Sequence, residues 1–129
     1  MKKFLKLFMS LILFANLLQN ISFANNVTEV DFAPYMENVQ SSIKANWKPN
    51  KVAEETRAVV LFSIDKQGYV IKSEIIESSG NKEYDQIALS TIQETQPFAP
   101  LPDEYNNSYV DVQILLYMYQ VKILKMILY

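Results

Sequence analysis

The sequence contains no cysteine and no histidine. The chain therefore cannot form a disulfide, present a thiol or imidazole nucleophile, or build an ordinary zinc site. It also lacks the side chain that normally changes charge between about pH 5 and 8. Missing cysteine does not identify a redox compartment, since reducing and oxidising spaces both tolerate it. Glycine is scarce as well: Gly68 and Gly80 are the only two, and both stand where the chain turns or breaks. Nor is there a basic patch. Lys44, Lys48 and Lys51 come closest, and Glu54 and Glu55 follow at once. Nucleic acid is not expected as a partner, because phosphate neutralisation supplies most of such affinity.

What remains is a chain of 129 residues, 50% apolar and 20% charged, enough for one domain. Residues 1–24 read as a targeting segment. Lys2, Lys3 and Lys6 form a positive start, Leu7–Ala15 an apolar centre, and Ser22-Phe23-Ala24 a cleavage site with small residues where a signal peptidase reads. A membrane span needs roughly 20 apolar residues, and Asn16, Gln19 and Asn20 interrupt this run too early. The expectation is a signal peptide cleaved after Ala24, with an uncleaved inner-membrane anchor as the alternative. No cysteine near the cut offers a lipid attachment point. Cleavage removes three of the 12 basic residues and none of the 14 acids, leaving a net charge of −5.

The mature chain is organised around Ala58–Gly80. Val60, Phe62 and Ile64 alternate with Val59, Leu61 and Ser63, the period of two of a strand. Asp65-Lys66-Gln67-Gly68 supplies a turn, and Tyr69–Ile76 returns as a second strand. A hairpin alone is marginal in water, so its apolar face must be covered. A lead, residues 25–33, precedes a helix on which Tyr35, Val39, Ile43 and Trp47 recur every four residues; Asp31 can cap it and Pro49 stops it. Ser78-Ser79-Gly80-Asn81 ends the hairpin, and Asn81 or Ser79 can cap a second helix over about Lys82–Glu94. There Tyr84, Ile87, Ala88, Thr91 and Ile92 share one face. PFAPLP (97–102) makes an extended return with Phe98 and Leu101 tucked inward, and Tyr109–Gln120 follows as a last strand. The apolar tail Val121–Tyr129 fits a strand extension or a short helix equally well.

The expected fold is therefore α+β, in the order helix-strand-strand-helix-strand. A three-stranded antiparallel sheet of order 2-1-3 carries both helices on one face, and the outer edge of the last strand is unpaired. The domain spans residues 34–120, with 121–129 as the tail.

In this order and spacing the chain resembles the C-terminal domain of the TonB/TolA energy transducers. The matching features are Tyr35…Val39…Ile43…Trp47-Lys-Pro49, Ile64-Asp65-Lys66-Gln67-Gly68, Ser78-Ser79-Gly80-Asn81 with Tyr84-Asp85, Pro97-Phe98…Leu101-Pro102, and the final apolar strand. They cover about Pro34–Gln120. The resemblance implies a non-enzymatic periplasmic domain of envelope transport and energy transduction. Such a domain binds an extended peptide of an envelope or outer-membrane protein along the edge of its last strand, through main-chain hydrogen bonds. It implies no cofactor, no metal and no small-molecule substrate. The cysteine pair typical of TolA-type members is missing, which favours the TonB-like side. Only Asn25–Ala33 stand between the targeting segment and the domain, a reach of roughly 30 Å when extended, so even an uncleaved chain is expected to fall short of the outer membrane. The tail is longer and more apolar than the family's usual end. It either prolongs the last strand or folds back over its edge.

The expected partner-binding residues are Val110, Val112, Ile114, Leu115, Tyr117 and Tyr119. Leu115, Tyr117 and Tyr119 face away from the helices, where aromatic groups on an edge suggest a contact surface. A homodimer that pairs two last strands across a two-fold axis is the alternative. No catalytic set emerges. Ser78 and Ser79 have no base at motif spacing to activate them, and Glu54-Glu55 and Asp103-Glu104 read as solvated loop charge.

Overall fold

The first helix, α1 (Ala33–Asn46), buries Tyr35, Val39 and Ile43 on one stripe, as their four-residue spacing requires. Its N-cap is Phe32, which makes no side-chain capping bond; Asp31, one residue earlier, accepts the Ala33 N–H at 3.0 Å instead. Trp47 leaves the helix in an extended conformation two residues before Pro49. Its indole packs edge-on against Tyr84, with ring centroids 5.3 Å apart, and its Nε1–H donates to the Tyr117 carbonyl. The computed structural model describes residues 30–129; the expected signal peptide and the start of the lead lie outside them.

Strands β1 (Arg57–Asp65) and β2 (Val70–Glu77) form the expected hairpin. The Asp65 carboxylate accepts the Gln67 and Tyr69 N–H groups at 3.0 and 2.9 Å, and Gly68 closes the turn at φ 96°. Helix α2 (Lys82–Thr95) starts at Asn81, whose side chain accepts the Tyr84 N–H. In the first turn of this helix Asp85 accepts from the preceding Ser78 Oγ, Ser79 Oγ and Ser79 N–H. Burial opposes ionisation of Asp85, but these three bonds outweigh it and hold the carboxyl below its ordinary 3.8. A depressed folded pKa contributes stability that is complete above the unfolded value and is lost as pH falls through the folded one. Asp85→Asn is therefore expected to flatten the acid limb of thermal stability below about pH 4 while changing its shape little near pH 7. Melting curves across that range check this.

The expected three-stranded sheet is corrected by the last part of the chain. The last strand ends three residues early, as β3 (Tyr109–Tyr117), and residues 118–120 reverse the chain with a Tyr117 N–H to Gln120 carbonyl bond of 2.8 Å. The tail returns as β4 (Val121–Ile127) and pairs antiparallel with β3, so the sheet has four strands in the order β2-β1-β3-β4. The physical reason is the length of the apolar segment. Tyr109–Tyr129 is far longer than an ordinary strand of about 5–6 residues, and folding it back shields apolar groups that would otherwise extend past the sheet.

Both helices cover one face. Ala58, Val60, Phe62 and Ile64 of β1 meet Val110, Val112, Ile114 and Leu116 of β3 beneath them, all at 0% exposure. The 97–102 return closes one end, with Phe98 stacked on Phe62 at 5.7 Å and Leu101 buried beside it. Phe98 N–H donates to the Gly68 carbonyl at 2.8 Å and Leu101 N–H to that of Lys66 at 3.0 Å. The return is thereby fastened to the hairpin turn.

Candidate protein-binding edge

The structure distributes the six expected contact residues over three settings. Val110, Val112 and Ile114 point into the core at 0% exposure. Leu115 and Tyr117 lie half-buried on the sheet face away from the helices, and Tyr119 is 82% exposed in the turn before β4. The main chain of β3 pairs with β1 along its whole length, and Asp111–Leu116 pair with β4 on the other side. The edge expected on the last strand of a three-stranded sheet is thus filled by the tail. The free edges of this sheet are β2 and β4.

Both edges are modified in the same way. Every register irregularity of the sheet falls on an outer strand: at Ile71 and Ile76 in β2 and at Leu124 in β4, while β1 and β3 pair without interruption. The residues displaced at these points are exposed apolar ones, at 58, 46 and 47%. Each edge also has one amide held by a glutamine. Val70 N–H of β2 donates to Gln96 Oε1, and Ile123 N–H of β4 to Gln40 Oε1 of α1, both at 2.9 Å. Bulges and charges are ordinary means of stopping indiscriminate strand pairing. They leave β4 with a shorter and more selective run of free main-chain groups.

The irregularity at Leu124 has an electrostatic result. Lys122 and Lys125 are three residues apart and would face opposite sides of an even strand. With Leu124 stepping out of the ladder, Lys122 pairs with Leu115 and Lys125 with Gln113, so both lie on the open face. On the opposite edge Lys72 and Glu74 of β2 pair at 3.8 Å, and Glu77 of β2 pairs with Arg57 at the start of β1 at 3.6 Å, all largely exposed. Between them, Asp111 accepts from Ser63 Oγ and from the Tyr129 hydroxyl, which this bond pushes up to about 12. A shallow groove of about 350 Å³ runs past Ser63, Asp111, Leu61 and Tyr109.

Among the described residues no group of three acidic side chains converges on a point that could hold a metal ion, and none of their helices is long and apolar enough to cross a membrane. The described residues form an α+β module, an open four-stranded antiparallel sheet with both helices on one face and main-chain groups free at its two edges. The chain belongs to the TonB C-terminal family, whose model matches residues 32–114. Domains of this family are non-catalytic modules of periplasmic energy transduction, and this one is non-enzymatic. The match stops within β3, so β4 lies outside it. No curated protein and no solved structure matches the chain.

Sequence reasoning left the tail between prolonging the last strand and folding back over its edge and did not count it as a strand; it missed the irregularity at Leu124 and the two glutamine-held amides. A usable signal for β4 was the length of the segment from Tyr109 to Tyr129, too long for one strand. The glutamine contacts join residues 26 and 83 positions apart and have no local signature.

Proposed function

We propose that this chain is a periplasmic adaptor of the TonB type, exported by residues 1–24 as a cleaved signal peptide. It binds an extended segment of an envelope or outer-membrane protein by strand addition along β4. The observation that carries this reading is that β4 is the outer strand of an open antiparallel sheet, lying beyond the matched family module. Affinity comes from main-chain hydrogen bonds and selectivity from alternate side chains. Leu115, Tyr117 and Tyr119 lie close to that edge and form the side-chain part of the contact. Val110, Val112 and Ile114 support it from the core. Gln40 acts as a place-holder on Ile123 N–H, released when a peptide carbonyl takes over the bond.

The test is a photo-reactive residue at Leu124, compared with one at Ile76 on the opposite edge, followed by amide exchange of the captured complex. Cross-linking from Leu124 to one envelope protein, with exchange slowed along Val121–Ile127, is the expected result. Capture from Ile76, or slowing confined to β2 or the helices, contradicts it.

A further inference from the structure

The cross-strand register sorts the open face into rows. One row runs Glu77, Val59, Leu115, Lys122 from β2 to β4; the next runs Glu74, Leu61, Gln113, Lys125. In both rows an acid stands at the β2 edge, a base at the β4 edge, and mainly apolar side chains between. Lys125 joins this pattern only because Leu124 steps out of the ladder. A third row, Lys72, Ser63, Asp111, Ile127, has a base at the β2 edge, an acid in the middle and no charge at the β4 edge. The same face carries half-buried Tyr117 beside Arg57.

We propose that this face binds a second copy of the chain, sheet against sheet, about a two-fold axis parallel to the strands. Such an axis keeps each row in place along the strand and reverses it from side to side. Glu77 and Glu74 of one copy then stand over Lys122 and Lys125 of the other, twice in the dimer. The central apolar side chains close on each other, β1 over β3, and Arg57 lies over the ring of Tyr117 in the second copy, a favourable cation–π geometry. A two-fold axis across the strands would set Lys122 and Lys125 against their own copies, and like charges repel there. Pairing two β4 edges would bring the same lysines together. The two acid–base rows therefore favour the first arrangement, in which Lys72 stands over the uncharged Ile127 of the other copy and meets no like charge in its row. The intrachain pairs of Glu77 and Glu74 oppose it little, since exposed ion pairs of this kind contribute about 0–1 kcal/mol.

Sheets packed in this way lie about 10 Å apart with strands within about 30° of parallel, a gap that Glu and Lys side chains span. Four strands and nine residues make a face roughly 20 Å by 30 Å, near the lower bound of a specific interface, so the dimer is reversible. This face shares Leu115 and Tyr117 with the proposed partner contact but does not use the β4 main-chain groups, and the inference does not depend on the proposed partner.

Sedimentation velocity of the purified protein over rising concentration is expected to give a monomer–dimer equilibrium that weakens as salt is added. Glu74→Lys with Glu77→Lys makes both edges basic; Lys122→Glu with Lys125→Glu makes both acidic. Each variant alone is expected to dimerise about tenfold more weakly or not at all. An equal mixture of the two is expected to recover a dimer containing one of each. A wild-type chain that stays monomeric throughout overturns the proposal. So does a dimer that survives both reversals, which would place the contact on another surface. Should a reversed chain fail to fold, Glu74→Gln with Glu77→Gln and the salt series decide the matter: a dimer indifferent to both refutes the arrangement.

Discussion

Gly68→Ala is expected to cost roughly 3–5 kcal/mol of folding stability, enough to unfold much of the population of a marginally stable domain. Two effects add. At φ 96° an L side chain is strained, at about 1–2 kcal/mol. In addition, a Cβ built on Gly68 falls 2.0 Å from the Phe98 carbonyl oxygen and 2.8 Å from its carbon. Both atoms are backbone and cannot rotate aside. The 97–102 return has to move, which breaks the bond from Phe98 N–H to the Gly68 carbonyl and unstacks Phe98 from Phe62. Gly80→Ala separates the two contributions. Gly80 has a similar φ of 84°, but no atom lies within 4 Å of where its Cβ would stand, so only the strain remains. Its expected cost is about 1 kcal/mol. Urea unfolding of the two variants, read as midpoint shifts at constant slope, checks the contrast. Equal losses would mean that the close approach to Phe98 is relieved cheaply.

Val121→Asp is expected to detach β4 and leave the rest of the domain folded. Val121 is 3% exposed and begins β4 opposite Leu116. Keeping an unpaired carboxylate there is costly, and the chain has a cheaper response in releasing the strand. The loss is therefore limited to the free energy with which β4 docks, roughly 2–4 kcal/mol given one fully and two half-buried apolar side chains on its inner face. Val121, Ile123 and Met126 are those three, each paired with a buried residue of β3. The remaining β2-β1-β3 sheet keeps its helices and its 0% exposed core, and residues 32–114 are the part matched by the family model. Amide exchange should quicken along Val121–Ile127 and along the β3 amides that faced it, while α1, α2 and β1 stay protected. A newly bare β3 edge also favours self-association, visible as a rise in mass on sedimentation. Uniform loss of protection would mean that β4 is integral to the cooperative unit.

Much of the architecture was readable from local pattern. The four-residue recurrence Tyr35, Val39, Ile43, Trp47 set the buried stripe of α1 and the packing of Trp47 at its end. The alternation through Ala58–Ile64 set which side of β1 enters the core. Asp65 and Gly68 announced the turn, Asn81 or Ser79 the start of α2, where Asn81 is the cap, and Phe98 and Leu101 the inward side of the return. Each of these depends on neighbours within a few residues, where side-chain spacing and backbone preference act directly.

The strand count and the location of the free edge were not readable in this way. Tyr109–Tyr129 is apolar on both sides for much of its length, so its periodicity does not mark where one strand ends and the next begins, and the reversal at residues 118–120 carries no glycine or proline. That β4 lies against β3, that Leu124 leaves the ladder, and that Lys125 thereby joins Lys122 on the open face are all results of pairing between segments. Sequence alone determined the local elements of this protein and the absence of thiol and imidazole chemistry. Only the tertiary structure decided which edge faces solvent and which charges share a face, because strand register is a contact between distant residues, and a one-residue irregularity turns every later side chain to the other side.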